Sequence, residues 1–288
     1  MRISSLFEQK KTVLSFEVFP PKKSSPIETI YNTLEELKGL KPDFISVTYG
    51  AGGNAGDTAT SDIAYAIKHR YGIEPLAHLT CVNDTKQEIS QVLDRLENSG
   101  TENILALRGD INPSILPKHE FKYASELVKL IRVRGGFHLS GACYPEGHIN
   151  ALNKEEDILN LKKKVDAGVE HLISQLFFDN SYFYSFIDRV RAEGITVPIE
   201  AGIMPVTNKS QIERMVTLCG ASLPSKFSKM MQRFEHSPEA LRDAGIAYAV
   251  DQIVDLISRG VDGIHLYTMN NPYIARKISE SISGMIQA

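Results

Sequence analysis

Glu17 stands in the run Thr12–Phe19, where the only other polar residues are Thr12 and Ser15. A carboxylate in so apolar a run is costly to bury unless it is used, and the use that suits it is proton transfer. Further along, His78 is in phase with Leu76 and Thr80, and Arg108 is in phase with Asp110. Gln175 is in phase with Ile173 and Phe177, and Tyr144-Pro-Glu-Gly-His148 follows another apolar run. Asp157, Asn160 and Lys164 fall on one face of a helical stretch, an arrangement able to hold an anion. Each also has a structural reading. Glu17 can pair with Arg108, and His78 can be a satisfied core histidine. Lys162, Lys163 and Lys164 can be a solvated face, while Tyr182, Phe183, Tyr184 and Phe186 suit core and helix contacts better than cofactor stacking.

The elements that must position these groups repeat. Eight β-branched or aromatic runs occur: Thr12–Phe19, Phe44–Tyr49, Pro75–Thr80, Asn103–Arg108, His138–Tyr144, His171–Phe177, Val197–Ile203 and Gly263–Met269. Helical patterns follow them: Pro26–Leu40, Asp57–Tyr71, Lys86–Asn98, Ala124–Val133, Lys154–Ala167, Tyr182–Ala192, Lys209–Leu218 and Pro272–Ile282. Two more helical segments, Pro224–Phe234 and Pro238–Arg259, lie between the seventh and eighth runs. Strict alternation means a parallel sheet, and eight units favour closure into a (β/α)8 barrel, a TIM barrel, as one domain over residues 1–288. An open dinucleotide-binding sheet has one supporter, Gly50-Ala-Gly-Gly-Asn-Ala55, which sits after the second run instead of the first. Barrel enzymes build their sites at the carboxyl ends of the strands, and the polar residues above fall there. Period-two geometry turns Val13, Ser15, Glu17 and Phe19 one way, and Leu14, Phe16 and Val18 the other, toward helices.

Composition narrows the class. The chain has 288 residues, 42% hydrophobic and 23% charged, so its core needs no disulfide or metal staple. A net charge of −3 offers no basic field for nucleic acid or an anionic membrane. Cys81, Cys143 and Cys219 form neither a disulfide framework nor a zinc pattern, so no metal is expected. The N-terminus lacks the apolar stretch of a signal peptide and no run is long enough to span a bilayer, so the cytoplasm is the expected compartment.

Seven motifs in register resemble those of methylenetetrahydrofolate reductases: Ser15–Pro21, Ser46–Gly50, His78–Cys81, Ala106–Asp110, Tyr144–His148, Leu161–Gly168 and Gln175–Asp179. The resemblance runs from about Leu14 to the eighth run and implies a barrel that binds FAD non-covalently. It implies that NADH or NADPH reduces the flavin and leaves, and that 5,10-methylenetetrahydrofolate then takes the hydride to become 5-methyltetrahydrofolate. By resemblance Glu17 is the general acid that protonates a folate nitrogen and opens the five-membered ring to a 5-iminium cation. Its neighbours Phe16, Phe19 and the Pro20–Pro21 pair are of the kind that favours a protonated carboxyl. Asp110 matches an aspartate beside flavin and pterin, which disfavours anionic reduced flavin and favours the developing cation. Gln175 and Gln211 match folate contacts, Gln175 also meeting nicotinamide. The FAD positions carry over to Thr48, His78, Arg108, Gly109, Asp110, Tyr123, Ala124, Tyr144, His148, Asp157, Asn160, Lys163 and Lys164. Arg108, His148 and Lys164 suit the diphosphate and ribose.

The sequence departs from the family at two places. Asn271, taken as a substrate-binding position, stands where many relatives have arginine, and Met215 stands where some have an aromatic residue. Both bear on the grip on the folate tail, for which Arg276 is a candidate replacement. The resemblance also implies a homo-oligomer, often a tetramer. NADH is favoured as donor because no arginine cluster suited to NADPH is evident, though some relatives work with an electron-transfer partner protein. The competing readings are another flavin barrel, such as a proline dehydrogenase, and a barrel that binds folate or flavin without turnover. Against the first, Arg276 lacks the arginine neighbour that a substrate carboxylate clamp needs.

Overall fold

The computed structural model describes residues 1–22, 24–49, 58–110 and 118–287. The Gly50–Ala55 glycine cluster lies outside them. A short helix α1 (Ser4–Gln9) precedes β1 (Val13–Val18), and then strand and helix alternate. The order is α2 (Glu28–Lys38), β2 (Phe44–Val47), α3 (Ala59–His69), β3 (Glu74–Thr80), α4 (Lys86–Asn98), β4 (Asn103–Leu107), α5 (Ala124–Arg134) and β5 (His138–Cys143). It continues α6 (Lys154–Asp166), β6 (His171–Ser174), α7 (Asn180–Ala192), β7 (Ile199–Ile203), α8 (Lys209–Cys219), α9 (Ser225–Phe234), α10 (Pro238–Ser258), β8 (Gly263–Tyr267) and α11 (Pro272–Ile286). The strands form one closed barrel, each parallel to the next, with β8 returning to β1. Every expected run is a strand, and the two extra helical segments are α9 and α10. Six of the eight strands end earlier than their apolar runs do: His171–Phe177 is strand only to Ser174. Leu176, Phe177 and Phe178 stay apolar because they pack beyond the ladder, not because they pair.

The alternation in β1 appears in the packing. Leu14, Phe16 and Val18 lie in the large outer core between strands and helices. Val13 instead joins Phe44, Leu76, Leu105 and Ile173 inside the barrel. Ile3 and Leu6 belong to that same inner cluster, so α1 plugs the amino-terminal end of the barrel. Six residues are too few for a helical period to be read, and α1 was not expected. Its entry is fixed by Asn103, whose Oδ1 accepts from the Ile3 N–H at 2.9 Å while its Nδ2 donates to the Met1 carbonyl at 3.1 Å.

At the other end α8, α9 and α10 form a separate apolar cluster with Met204, Val206, Phe227, Met231 and Leu241. Gly245 lets α10 press against the chain after β7: a Cβ there would lie 1.7 Å from the Val206 carbonyl oxygen. Neither backbone can yield cheaply. Gly245→Ala is therefore expected to cost about 3 kcal/mol, the upper end for overpacking, as a lowered urea midpoint. The aromatic segment of α7 fills core, Phe183 stacking on Phe177 at 5.1 Å. Among the described residues no helix is long and apolar enough to cross a membrane.

Candidate active site

Two adjoining cavities open at the carboxyl ends of the strands. The larger, about 840 Å³, lies over the barrel mouth. Glu17, Thr48, His78, Arg108, Gly109, Asp110, Tyr144, His148 and Gln175 all line it. The second, about 400 Å³, lies between the ends of β4 and β5 and the start of α5 and α6. Arg108, Tyr123, Ala124, Tyr144, His148, Asp157, Asn160, Lys163 and Lys164 line that one. Arg108, Tyr144 and His148 belong to both walls, so the two spaces adjoin. Nearly every residue singled out in the sequence is thus brought to this pair of neighbouring cavities.

Glu17 is fixed by its neighbours. Its backbone pairs with Ser46 on one side and Tyr267 on the other. Thr268 Oγ1 donates to the Glu17 carbonyl at 2.6 Å. Asn270 clamps the next turn, donating to the Phe19 carbonyl at 2.8 Å and accepting from the Phe19 N–H at 3.0 Å. Met269 and Asn270 both hold left-handed backbone, at φ +52° and +54°, which aims the Asn270 amide back at β1. The Glu17 carboxylate has 19% of its surface exposed and points its Oε2 between two imidazoles. His78 Nε2 lies 3.6 Å away and His265 Nε2 3.7 Å. Burial pushes His78 down to about 4, so it is neutral at physiological pH. Among the described residues its Nε2 makes no hydrogen bond.

The turn after β4 is built around Gly109. Its φ is +81°, and a Cβ there would lie 2.8 Å from Thr80 Cβ. Only glycine lets Arg108 and Asp110 flank the mouth at this point. Asn83 Nδ2 donates to the Asp110 carbonyl at 3.2 Å, and Arg108 Nε donates to the Gly109 carbonyl at 3.2 Å. After β5, the backbone N–H of His148 donates to Asp157 Oδ2 at 3.2 Å. His148 Nδ1 accepts from Asn150 N–H at 3.1 Å, which leaves Nε2 to carry the proton. Its ring meets Tyr144 edge-on at 4.6 Å. Lys164 reaches in from α6 past Gly141, where a Cβ would crowd its Cδ at 3.2 Å, and donates to the Ala142 carbonyl. Burial pushes its ammonium down from the usual lysine range, with nearby Asp157 opposing. Lys163 Nζ, more exposed, donates to Asn160 Oδ1 at 3.1 Å.

Gln211 lies in α8, and its side chain is outside the described atoms. Two other candidates stand apart from these cavities. Asn271 caps α11, its Oδ1 accepting from Ile274 N–H at 3.3 Å, and does not line either cavity. Arg276 pairs with Glu36 of α2 at 3.7 Å. Met215 does reach the larger cavity, where it joins Met204, Leu176 and Met269 as an apolar wall. Gln175 lines the same space with its Oε1 turned to accept from the Leu176 N–H at 2.9 Å. Burial holds the Cys81 and Cys143 thiols up at about 12, which makes both inert.

The reading of the sequence missed His265 and Glu200, and placed Tyr267 only as the polar end of the eighth run. His265 and Tyr267 share the inward phase of β8, and Tyr267 Oη donates to the Ser174 carbonyl at 2.8 Å across the mouth. Glu200 is a carboxylate inside the apolar strand Ile199–Ile203, the same signal that singled out Glu17.

The chain is similar to known proteins along almost its whole length. The family profile of methylenetetrahydrofolate reductase matches residues 2–283. A 5,10-methylenetetrahydrofolate reductase from Pectobacterium carotovorum is 36% identical over 95% of this chain and 91% of its own. The Escherichia coli protein of that name is 38% identical over 93% and 90%. An Arabidopsis thaliana methylenetetrahydrofolate reductase (NADH) is 33% identical over 93% of this chain but only 48% of its own length. A Clostridium thermocellum protein described as binding two copies of 5-methyl-5,6,7,8-tetrahydrofolic acid shares the fold, with a TM-score of 0.68 over 99% of both chains at 14% identity. A glutamate held at the mouth of a closed eight-stranded barrel, and a match along almost its whole length, place this chain in the methylenetetrahydrofolate reductase family of oxidoreductases.

Proposed function

We propose that the protein is an FAD-dependent enzyme that reduces 5,10-methylenetetrahydrofolate with electrons from NADH, the two substrates taking turns in the larger cavity. The observation that carries this reading is that the two cavities stand side by side and share the wall residues Arg108, Tyr144 and His148. One side offers nitrogen donors for a diphosphate, and the other the Glu17 carboxyl group beside open space.

The side chains suit a flavin dinucleotide. Lys164 is a half-buried ammonium that donates to the Ala142 carbonyl, and such a charge favours an anion within reach. Arg108 and His148 add donors on the wall shared by both cavities, and Asn160 and Lys163 add more at the outer edge. His78 Nε2 is aimed at the mouth without a hydrogen bond of its own. When bound, FAD supplies hydride transfer from the nicotinamide to the folate.

The chain's own residues do the rest. Glu17 delivers a proton from its carboxyl to the folate nitrogen, and the ring opens to an iminium cation. The Asp110 carboxylate, on the same cavity wall, favours that cation electrostatically. The Met204, Met215 and Leu176 wall excludes water from it. A space of about 840 Å³ matches one drug-sized guest and suits alternation over simultaneous binding. Thr48, Tyr123 and Ala124 close the flavin's flanks in this reading, and Gln175 meets each guest in turn. The same reading takes the protein as a cytoplasmic homo-oligomer with one catalytic domain. Light scattering that found only monomer would contradict the assembly.

The direct test is product analysis. Purified protein with FAD, NADH and methylenetetrahydrofolate should form 5-methyltetrahydrofolate in step with NADH loss. Flavin-stripped protein should form none until FAD is restored. Product without flavin would sink the reading.

A further inference from the structure

A line of buried polar side chains runs down the axis of the barrel from Glu17 to the opposite end. Ser15 Oγ lies 2.7 Å from His265 Nδ1 and 2.8 Å from Glu200 Oε1. Glu200 Oε2 lies 2.9 Å from His171 Nε2, off hydrogen-bond alignment. His171 Nδ1 lies 2.9 Å from Ser140 Oγ, which lies 3.4 Å from His138 Nε2. His138 Nδ1 then faces Glu170 Oε2 at 3.4 Å. Every member from Ser15 to His138 is fully buried, whereas the Glu170 side chain keeps 29% of its surface in water. The barrel makes room for the line: a Cβ on Gly263 would lie 2.6 Å from Glu200 Cγ. From below, α1 seals it, Phe7 packing on His171 at 4.7 Å.

We propose that this line returns a proton to Glu17 after each folate reduction, with Glu200 as the reservoir and His265 as the residue that hands the proton on. The proposal rests on Glu17 as the acid. Reduction of methylenetetrahydrofolate by NADH consumes one proton per turnover, and the acid that gives it is left as a carboxylate. Glu200 then gives its proton to Ser15 Oγ, Ser15 passes its own to His265 Nδ1, and His265 gives up the proton on Nε2 to Glu17 Oε2. No bond other than O–H and N–H changes. Glu200 is refilled through His171, Ser140 and His138 from the Glu170 end. The last gap, 3.7 Å, is of the kind that tightens when substrate closes a site.

The charge state of the interior suits this. Burial pushes the Glu200 carboxyl up to about 8, with His265 and Ser15 opposing, so near neutrality it holds a proton to lend. His171 is pushed well down by burial and by His138 and His265, so it passes protons without storing one. The groups that face Glu200 are Ser15 of β1, His171 of β6, His265 of β8, and the more distant carboxylates Asp43 and Asp262. Those that face Glu17 are His78, His265 and Tyr267.

The experiment mixes reduced enzyme with methylenetetrahydrofolate anaerobically, reading flavin reoxidation and a pH-indicator dye together. In the wild type, uptake of one proton by the acid, set against the proton that a neutral reduced flavin releases on reoxidation, should keep pace with reoxidation, and should slow above about pH 8 as Glu200 empties. In Glu200→Gln, and in Ser140→Ala if the first fails to fold, reoxidation should be unchanged. Uptake should then lag by about two orders of magnitude, the lower end of what a positioned proton donor contributes. A merely structural role for either residue would slow reoxidation itself and leave the two signals together. Uptake that keeps pace in the variants overturns the relay alone. Folate turnover that survives in Glu17→Gln overturns the acid, and the relay with it.

Discussion

Glu17→Gln is expected to leave NADH reduction of the bound flavin at the wild-type rate while folate turnover falls by about 10²–10⁴-fold. The amide keeps the size and most contacts of the side chain, so the fold and the cavity stay intact. Thr268 and Asn270 hold the backbone of β1 independently of the carboxyl. What disappears is the proton that opens the folate ring. Hydride delivery from the nicotinamide needs no such proton, so the two half-reactions separate. Stopped-flow absorbance reads both. Equal loss in both half-reactions would mean that Glu17 serves flavin geometry and not acid chemistry.

Lys164→Met should change stability and cofactor affinity in opposite directions. Without FAD, the half-buried ammonium is offset by one carbonyl bond and a nearby Asp157, and desolvation already pushes it toward the neutral form. Replacing it by an apolar group of similar volume removes that desolvation cost. Asp157 keeps its bond from the His148 N–H in the variant. The flavin-free protein should therefore melt at the same temperature or higher. With FAD, a diphosphate loses its buried cation, a loss of about 2–5 kcal/mol, or about 30-fold or more in affinity. Calorimetry of the flavin-free protein and a fluorescence titration with FAD check the two halves. Unchanged FAD affinity would remove Lys164 from the cofactor site.

Much of the architecture was legible because alternation is a strong signal. The eight runs became eight strands because each is rich in residues suited to a pleated, buried surface. The strand ends were less legible. Leu176 to Phe178 look like more strand, yet they pack against α9 and α10 after the ladder has stopped. The helix α1 was invisible for a different reason: its Ile3 and Leu6 are buried by closing a floor, and a floor exists only once the barrel does.

The site divides the same way. Glu17, Arg108 and Asp110 could be placed from phase within a strand. Helical phase grouped Lys164 with Asp157 and Asn160, but it could not decide between that face and an ordinary solvated run from Lys162 to Lys164. The fold separates them: Lys164 turns inward over Gly141, while Lys162 pairs with Asp166 on the outside. His265 and His171 passed unnoticed because each makes sense only across strands, and Glu200, although a carboxylate in an apolar strand like Glu17, finds its partners only there. Ser15 meets Glu200 across 185 residues of chain and His265 across 250, and no local pattern carries such a contact. Asn271 shows the converse. Its position suggested a substrate contact, and the structure gives it the local task of capping α11.

The central claim is that one cleft carries out both halves of a flavin-mediated folate reduction. An anaerobic absorbance titration tests it most directly. NADH added to the FAD-loaded protein should bleach the flavin, and methylenetetrahydrofolate added next should restore it with one equivalent consumed per flavin. Flavin that NADH bleaches but folate leaves reduced would contradict the account, because it would leave Glu17 at the barrel mouth with no substrate to protonate.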